Sequence, residues 1–311
     1  MVNNDDHTDG DRLSSLRVGI LGLGLMGGSL ALALRGRVAG LAAVERQADS
    51  RQAALRDHIV DEAVESLADL PPVDLLVLAV PVRVIVDTLA RLFETRPDGA
   101  AVLDLGSTKR AVVAAMDALP PSFAAIGGHP MCGKETAGLG AATAGLYRDQ
   151  TFVLCPTRRT TTDLENTARA LIAAIGARPL VMDAPQHDAA VAAVSHLPAI
   201  LSAALMRSAA DEHLWPVSAS GFRDVARLAG SDPRMMVDIL LTNRDAVLNS
   251  LAGFESELFA LRAALEGADE TALTEWLAAA QISYAAYRRF KSAAHLLPLS
   301  RPADSPAGGI A

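Results

Sequence analysis

The stretch from Leu16 to Leu34, LRVGILGLGLMGGSLALAL, restricts the possible folds of this chain more than any other. A short apolar run, Val18 to Leu21, stops at Gly22, Gly24 and Gly27 in the spacing Gly-x-Gly-x-x-Gly, and helix formers follow from Ser29. Strand, glycine turn and helix together describe a dinucleotide-binding unit. The first glycine allows a tight turn, the second lets a pyrophosphate approach the backbone, and the third lets the helix lie on the strand. The free N–H groups and positive end of that helix then face the ligand. Glycine turns also serve packing alone, but Glu45 ends the next apolar stretch at about the 20-residue distance expected of a ribose-binding acid. The candidate cofactor residues are Gly22, Leu23, Gly24, Leu25, Met26, Gly27 and Glu45, with Arg46 beside it and Val80 and Pro81 closing the later apolar run. Glu45 favours NAD; Arg46 leaves NADP possible.

Strand-like and helix-like segments alternate through the first 180 or so residues, as in α/β folds. Strands are expected at Val18–Leu21, Leu41–Glu45, Asp74–Val80, Ala101–Leu105, Ala124–Gly127, Thr151–Cys155 and Leu180–Met182. Continuous runs such as LLVLAV fit strands buried on both faces of a parallel sheet. This predicts a Rossmann-type, doubly wound α/β domain. From Gln186 to about Leu297 the pattern is almost wholly helical, with Asp232 before Pro233 as a helix start and Gly267, Ala268, Asp269 as one helix end and the next start. The expected division is a loosely ordered segment 1–15, a dinucleotide-binding domain 16–183, a helical substrate and dimerisation domain 184–298 and a flexible tail 299–311. Helices so rich in Ala and Leu have apolar faces in need of a partner, which points to a homodimer.

A net charge of −8 argues against a general nucleic-acid or anionic-membrane surface. The two cysteines, Cys132 and Cys155, make neither a disulfide framework nor a four-ligand zinc set, and suit a reducing cytoplasm. The polar, acidic N-terminus lacks the basic and apolar regions of a secretory signal, and no apolar run reaches about 18 residues without a charge or breaker.

Four segments carry the chemistry. DLGSTK, Asp104 to Lys109, follows a predicted strand, so Ser107 either caps the next helix or touches cofactor and substrate. AAIGGHPMCGKETAG places His129 between two glycines and Pro130, on an expected strand-end loop. A histidine there is either structural or a base able to take a proton from an alcohol near neutral pH. His129 and Cys132 lack further ligands at suitable spacing, so no metal is expected. His196 stands two residues before Pro198, whose kink either presents the imidazole to a cleft or leaves it in a bent core helix. Arg223 and Arg227, four apart, share a helix face, a repulsive pair unless an anion lies over it. Surface acids or a small dicarboxylate would both serve.

With these residues in place the sequence resembles the prephenate/arogenate dehydrogenase family of tyrosine biosynthesis. The likeness runs from about Arg17 to Lys291 and rests on GLGLMGGSLA, DLGSTK, GGHPMCGKE, and SHLP followed by GFRDVARLAGSDP. It implies NAD-dependent oxidative decarboxylation of prephenate to 4-hydroxyphenylpyruvate and CO2, or the arogenate reaction giving tyrosine with NAD or NADP. Carried over by position, His129 matches the family's general base and Ser107 the serine that orients the C4 hydroxyl. Arg227 matches the arginine that binds the ring carboxylate, and His196 and Arg223 line the pocket. Two departures stand out: relatives can carry lysine at Arg223 and tryptophan at Met236. A β-hydroxyacid-type dehydrogenase would need a lysine between Gln186 and Ala210, where there is none. A non-catalytic dinucleotide sensor would leave His129 and Ser107 without a purpose.

Overall fold

The computed structural model describes residues 12–134 and 136–294. It divides into two compact units, one ending at Ser250 and the other beginning at Leu251. The first unit contains one sheet of β1 (Arg17–Leu21), β2 (Gly40–Val44), β3 (Glu62–Val64), β4 (Leu75–Leu78), β5 (Ala101–Asp104), β6 (Ala124–Pro130), β7 (Thr151–Pro156) and β8 (Arg178–Val181). Their spatial order is β3-β2-β1-β4-β5-β6-β7-β8. The pairings from β3 through β6 are all parallel. The order reverses between β1 and β4, and beyond the carboxyl ends of strands at such a switch point lies the crevice where these sheets bind ligands.

The LLVL run of β4 shows why the sheet is covered on both sides. Side chains alternate across a strand, so Leu75 and Val77 join one core cluster with Ile20, Leu30 and Leu171, while Leu76 and Leu78 join another with Ile85, Leu89 and Val112. Helices α1 (Leu25–Leu34) and α5 (Thr162–Ala174) supply the first cluster; α3 (Val82–Thr95) and α4 (Arg110–Asp117) supply the second. A further helix, α2 (Ala48–Arg56), joins β2 to β3. This is the Rossmann-type architecture expected from the alternation.

Three details differ from the expectation. β3 is a three-residue edge strand beginning at Glu62, too short and polar to stand out in the sequence. β7 runs antiparallel to β6, and β8 parallels β7, so the last two strands oppose the rest. The connection from β6 to β7 contains a short 3-10 turn rather than a crossover helix, so the chain returns alongside the strand it left. Residues 12–15 belong to the fold: Leu13 is buried in the core and Arg12 pairs with Asp163. Residues 1–11 and the expected tail from 299 lie outside the described residues.

After β8 only helices and turns occur among the described residues. They are α6 (Ala184–Val191), a π-helical turn (Ala192–His196), α7 (Leu197–Ser208), α8 (Ser220–Ala226), α9 (Pro233–Thr242), α10 (Arg244–Glu266) and α11 (Glu270–Ala294). The sequence signals hold: Asp232 accepts a hydrogen bond from the Met235 N–H at 2.8 Å, with Pro233 opening the helix. Asp269 likewise accepts from Ala272 N–H at 2.9 Å at the start of α11. The run 184–208 is long and apolar enough to cross a membrane by length and composition, with mean hydropathy 1.8, but Pro198 interrupts it and it carries the hydrogen-bonded Asp188 and His196. In the second unit Trp276 donates its indole N–H to Glu257 at 2.9 Å, joining α11 to the later part of α10.

Candidate active site

The glycine turn after β1 has the geometry a diphosphate requires. Gly22 has φ +94°, and a Cβ there would meet Val80 and the Ala79 carbonyl, so β1 and β4 close on each other through that residue. A Cβ on Gly27 would lie 1.9 Å from the Gly22 carbonyl oxygen, so only glycine lets α1 approach β1 this closely. A Cβ on Gly24, in contrast, would meet nothing within 4 Å. Leu25 and Met26 form the first turn of α1, whose N–H groups have no acceptor within the helix. Glu45 follows β2 and accepts hydrogen bonds from Leu23 N–H at 3.0 Å and Gln47 N–H at 2.9 Å. Its carboxylate therefore sits against the glycine turn, while Arg46 is exposed. Pro81 precedes α3 at the end of the β4 segment. The residues present thus fit a dinucleotide: an open backbone at Gly24, a helix N-terminus and an acid at the end of β2.

His129 is not on a loop. It is the penultimate residue of β6, which continues to Pro130 because β7 pairs with it antiparallel, His129 opposite Val153 and Pro130 opposite Phe152. The imidazole is thereby held at the carboxyl edge of the parallel strands. Its Nδ1 lies 2.8 Å from His187 Nε2. His187 Nδ1 in turn lies 2.8 Å from Asp188 Oδ1. Burial is the main cause that holds the His129 pKa well below 6.5, helped by nearby His187, Lys109 and His196. The ring is therefore neutral at physiological pH.

Ser107 lies in the loop between β5 and α4, and it is not the helix cap: α4 starts at Arg110 without a capping side chain from its own loop. Asp188 does that work from α6, accepting Lys109 N–H at 2.7 Å and Arg110 N–H at 2.9 Å. The loop is tied down on all sides. Gly106 N–H donates to Asp104 at 2.7 Å, the Thr108 hydroxyl meets that of Thr242 at 2.8 Å, and the buried Lys109 ammonium bonds Asp104 and, at 2.6 Å, the Gly128 carbonyl. Since Gly128 precedes His129, Lys109 and Asp104 link the Ser107 loop to the histidine strand. The Ser107 hydroxyl itself makes no hydrogen bond to the described residues.

His196 ends the π-helical turn. Pro198 has no N–H to give the carbonyl four residues earlier and its ring crowds that carbonyl, and the wide turn immediately before it relieves the mismatch. Asn243 fixes the ring: its amide donates to the Asp188 carbonyl at 2.7 Å and to His196 Nδ1 at 3.3 Å. Nδ1 is thus an acceptor, so the proton sits on Nε2. Burial, opposed by Asp188 and reinforced by His187, lowers the His196 pKa to about 4, making it a neutral donor.

Arg223 lies on α8, and Arg227 opens the 3-10 turn that follows. The helix stops at Ala226, so the pair does not share one uninterrupted α-helical face as its spacing suggested. Both are exposed, and Arg223 pairs with Asp224 at 3.5 Å. Their segment packs on α7, the helix that begins directly after His196.

Sequence reasoning missed His187, Asp188 and Asn243. The first two stand as an adjacent His-Asp in the opening turns of the helical half, a polar pair among alanines and valines; Asn243 is marked only by its place between two helices.

The family description "Prephenate dehydrogenase, nucleotide-binding domain" matches residues 30–181, and "Prephenate dehydrogenase, dimerization domain" matches residues 183–279. A prephenate dehydrogenase of Bacillus subtilis is 32% identical over 266 residues, spanning 80% of this chain and 70% of that protein. The Aquifex aeolicus prephenate dehydrogenase, solved with hydroxyphenyl propionate and NAD+, superposes with TM-score 0.81 at 30% identity, over 88% of this chain and 99% of that one. The Synechocystis arogenate dehydrogenase structure gives TM-score 0.75 at 31% identity, over 87% and 99%. With both domains matched in order, and with relatives of this identity and coverage, the chain belongs to the prephenate dehydrogenase family.

Proposed function

We propose that the chain catalyses the NAD-dependent oxidative decarboxylation of prephenate to 4-hydroxyphenylpyruvate and CO2. The observation that carries this reading is a neutral imidazole, His129, at the same sheet edge as the open glycine turn. Bound NAD supplies the hydride acceptor for C4 of the substrate. Gly22 to Gly27, Glu45, Arg46, Val80 and Pro81 hold it. His129 takes the proton of the C4 hydroxyl, and Ser107 donates to or accepts from that hydroxyl to orient it. Loss of CO2 makes the ring aromatic and provides the driving force, so the chain's task is positioning and the removal of one proton.

Arg227 binds the ring carboxylate, with Arg223 and His196 along the pocket. Arg227→Ala should remove a charge-assisted contact of about 1.5–3 kcal/mol, raising KM for prephenate roughly 10- to 150-fold with little change in kcat. Unchanged kinetics would reject the assignment.

The decisive assay is formation of reduced cofactor with prephenate or arogenate and with NAD or NADP. The Glu45 carboxylate repels a 2′-phosphate, so NAD should exceed NADP in kcat/KM by about tenfold or more, equivalent to 1.4 kcal/mol. Greater activity with arogenate would make this an arogenate dehydrogenase, the activity in the name of the Synechocystis relative. Dinucleotide binding without turnover of either substrate would indicate a sensor.

The partner proposed for the helical half is a second copy of the chain. Supporting it are the family description of this region and the exposed Phe259, Ile282, Tyr284, Tyr287 and Phe290 of α10 and α11. A monomer by light scattering at assay concentration would reject it. The unpaired thiols of Cys132 and Cys155 support a cytoplasmic location.

A further inference from the structure

We propose that His187, held by Asp188, is the positioning residue that sets the tautomer and ring orientation of His129. The inference rests on the reading of His129 as the base, and its geometry is a chain of hydrogen bonds whose directions follow from one fixed end. Backbone N–H groups only donate, so both Asp188 oxygens are acceptors where Lys109 and Arg110 present theirs, at 2.7 and 2.9 Å. The oxygen that takes Lys109 N–H also lies 2.8 Å from His187 Nδ1, which therefore carries the proton. With the His187 proton committed to Nδ1, its Nε2 faces His129 Nδ1 at 2.8 Å and accepts the hydrogen bond from His129 Nδ1–H. The remaining nitrogen of His129, Nε2, is left as the proton acceptor.

The sequence of constraints has no slack. His187 and Asp188 are both fully buried, Asp188 is also the cap of α4, and its own carbonyl is held by Asn243 at 2.7 Å. When His129 Nε2 takes the substrate proton, the new imidazolium keeps Nδ1–H against His187 Nε2, a hydrogen bond that strengthens with the charge. No proton leaves the pair in this step. The arrangement has the logic of an orienting acid behind a catalytic histidine, with a second imidazole inserted as a spacer.

The test separates this role from simple packing by using two amides of different reach in the full-length protein. An asparagine side chain at 187 ends near the position of the histidine Nδ1, so it can satisfy Asp188 without reaching His129; glutamine reaches the position of Nε2. His187→Asn should lower kcat about tenfold or more, a share of the roughly 10²- to 10⁴-fold given by a general base, with KM for prephenate within about threefold. His187→Gln should recover most of that loss. In a His129→Ala background, His187→Asn should have no further effect, because residues acting as a unit are non-additive.

Wild-type kcat in His187→Asn, the same fold loss with and without His129, or a loss carried only by KM would each overturn the positioning role while leaving His129 as the base. Near-wild-type turnover of His129→Ala is a separate result, and it would overturn the base assignment and the relay built on it.

Discussion

His129→Ala will lower kcat with prephenate by about 10²- to 10⁴-fold, the usual contribution of a positioned general base, while NAD still binds with its wild-type affinity. The division follows from the fold. The glycine turn and Glu45 lie at β1 and β2, whereas His129 is on β6 and shares no hydrogen bond with them. Hydride transfer and proton removal are thus assigned to groups held by different strands. The pH profile gives an independent check. A base works only when deprotonated, and burial above all, helped by the nearby His187, Lys109 and His196, keeps His129 well below 6.5. The acid limb of kcat/KM, which reports the free enzyme, should therefore fall clearly below pH 6.5, with a plateau through neutrality. It should vanish in the alanine variant. A limb at the ordinary histidine value, or one that survives His129→Ala, would assign proton removal to another group.

Lys109→Met should cost about 3–5 kcal/mol of stability, the range for breaking one side of a buried ion pair. Lys109 and Asp104 are both fully buried, and methionine fills most of the lysine volume without its charge. Asp104 would keep its hydrogen bonds from Gly106 and Gly128 N–H but lose its counter-ion, leaving an uncompensated carboxylate in the core. Equilibrium urea unfolding followed by circular dichroism measures the loss. A change below about 1 kcal/mol, the range of a surface pair, would mean that the backbone donors alone satisfy Asp104. The variant should also lose turnover, since the Lys109 ammonium joins the Ser107 loop to the carbonyl just before His129.

Much of this architecture is legible in the residues because local chemistry and tertiary structure agree there. The apolar run before Gly22 can end only in a turn, and LLVL has no polar side to expose. Asp232-Pro233 and Asp269 cap helices through contacts three residues away. The direction of β7 is not legible: TFVLC presents the same apolar pattern whichever way it runs, and only its tertiary pairing with β6 decides. That missed pairing is also what moves His129 from an expected loop onto a strand. The His187–Asp188–Asn243 group was hidden for another reason. Its members acquire meaning only from partners 55 to 79 residues away, and spacing along the chain carries no trace of such contacts. Ser107 and His129, by contrast, are visible because each stands at the carboxyl end of a strand, at the same edge of the sheet.

The wide turn before Pro198 sets the phase between the rings of His187 and His196. Nine residues separate the two rings, about two and a half turns at 3.6 residues each, so a regular helix would aim them in opposite directions. One oversized loop of backbone absorbs part of that offset, and both imidazoles reach the neighbourhood of Asp188 and Asn243. Deleting one residue inside the wide turn would restore regular winding and keep the later residues nearly in phase, whereas deleting one from a regular turn would rotate everything downstream by about 100°. The irregularity therefore takes up one extra residue, and chemistry at two places on one helix tolerates a deletion there but not in the regular turns beside it.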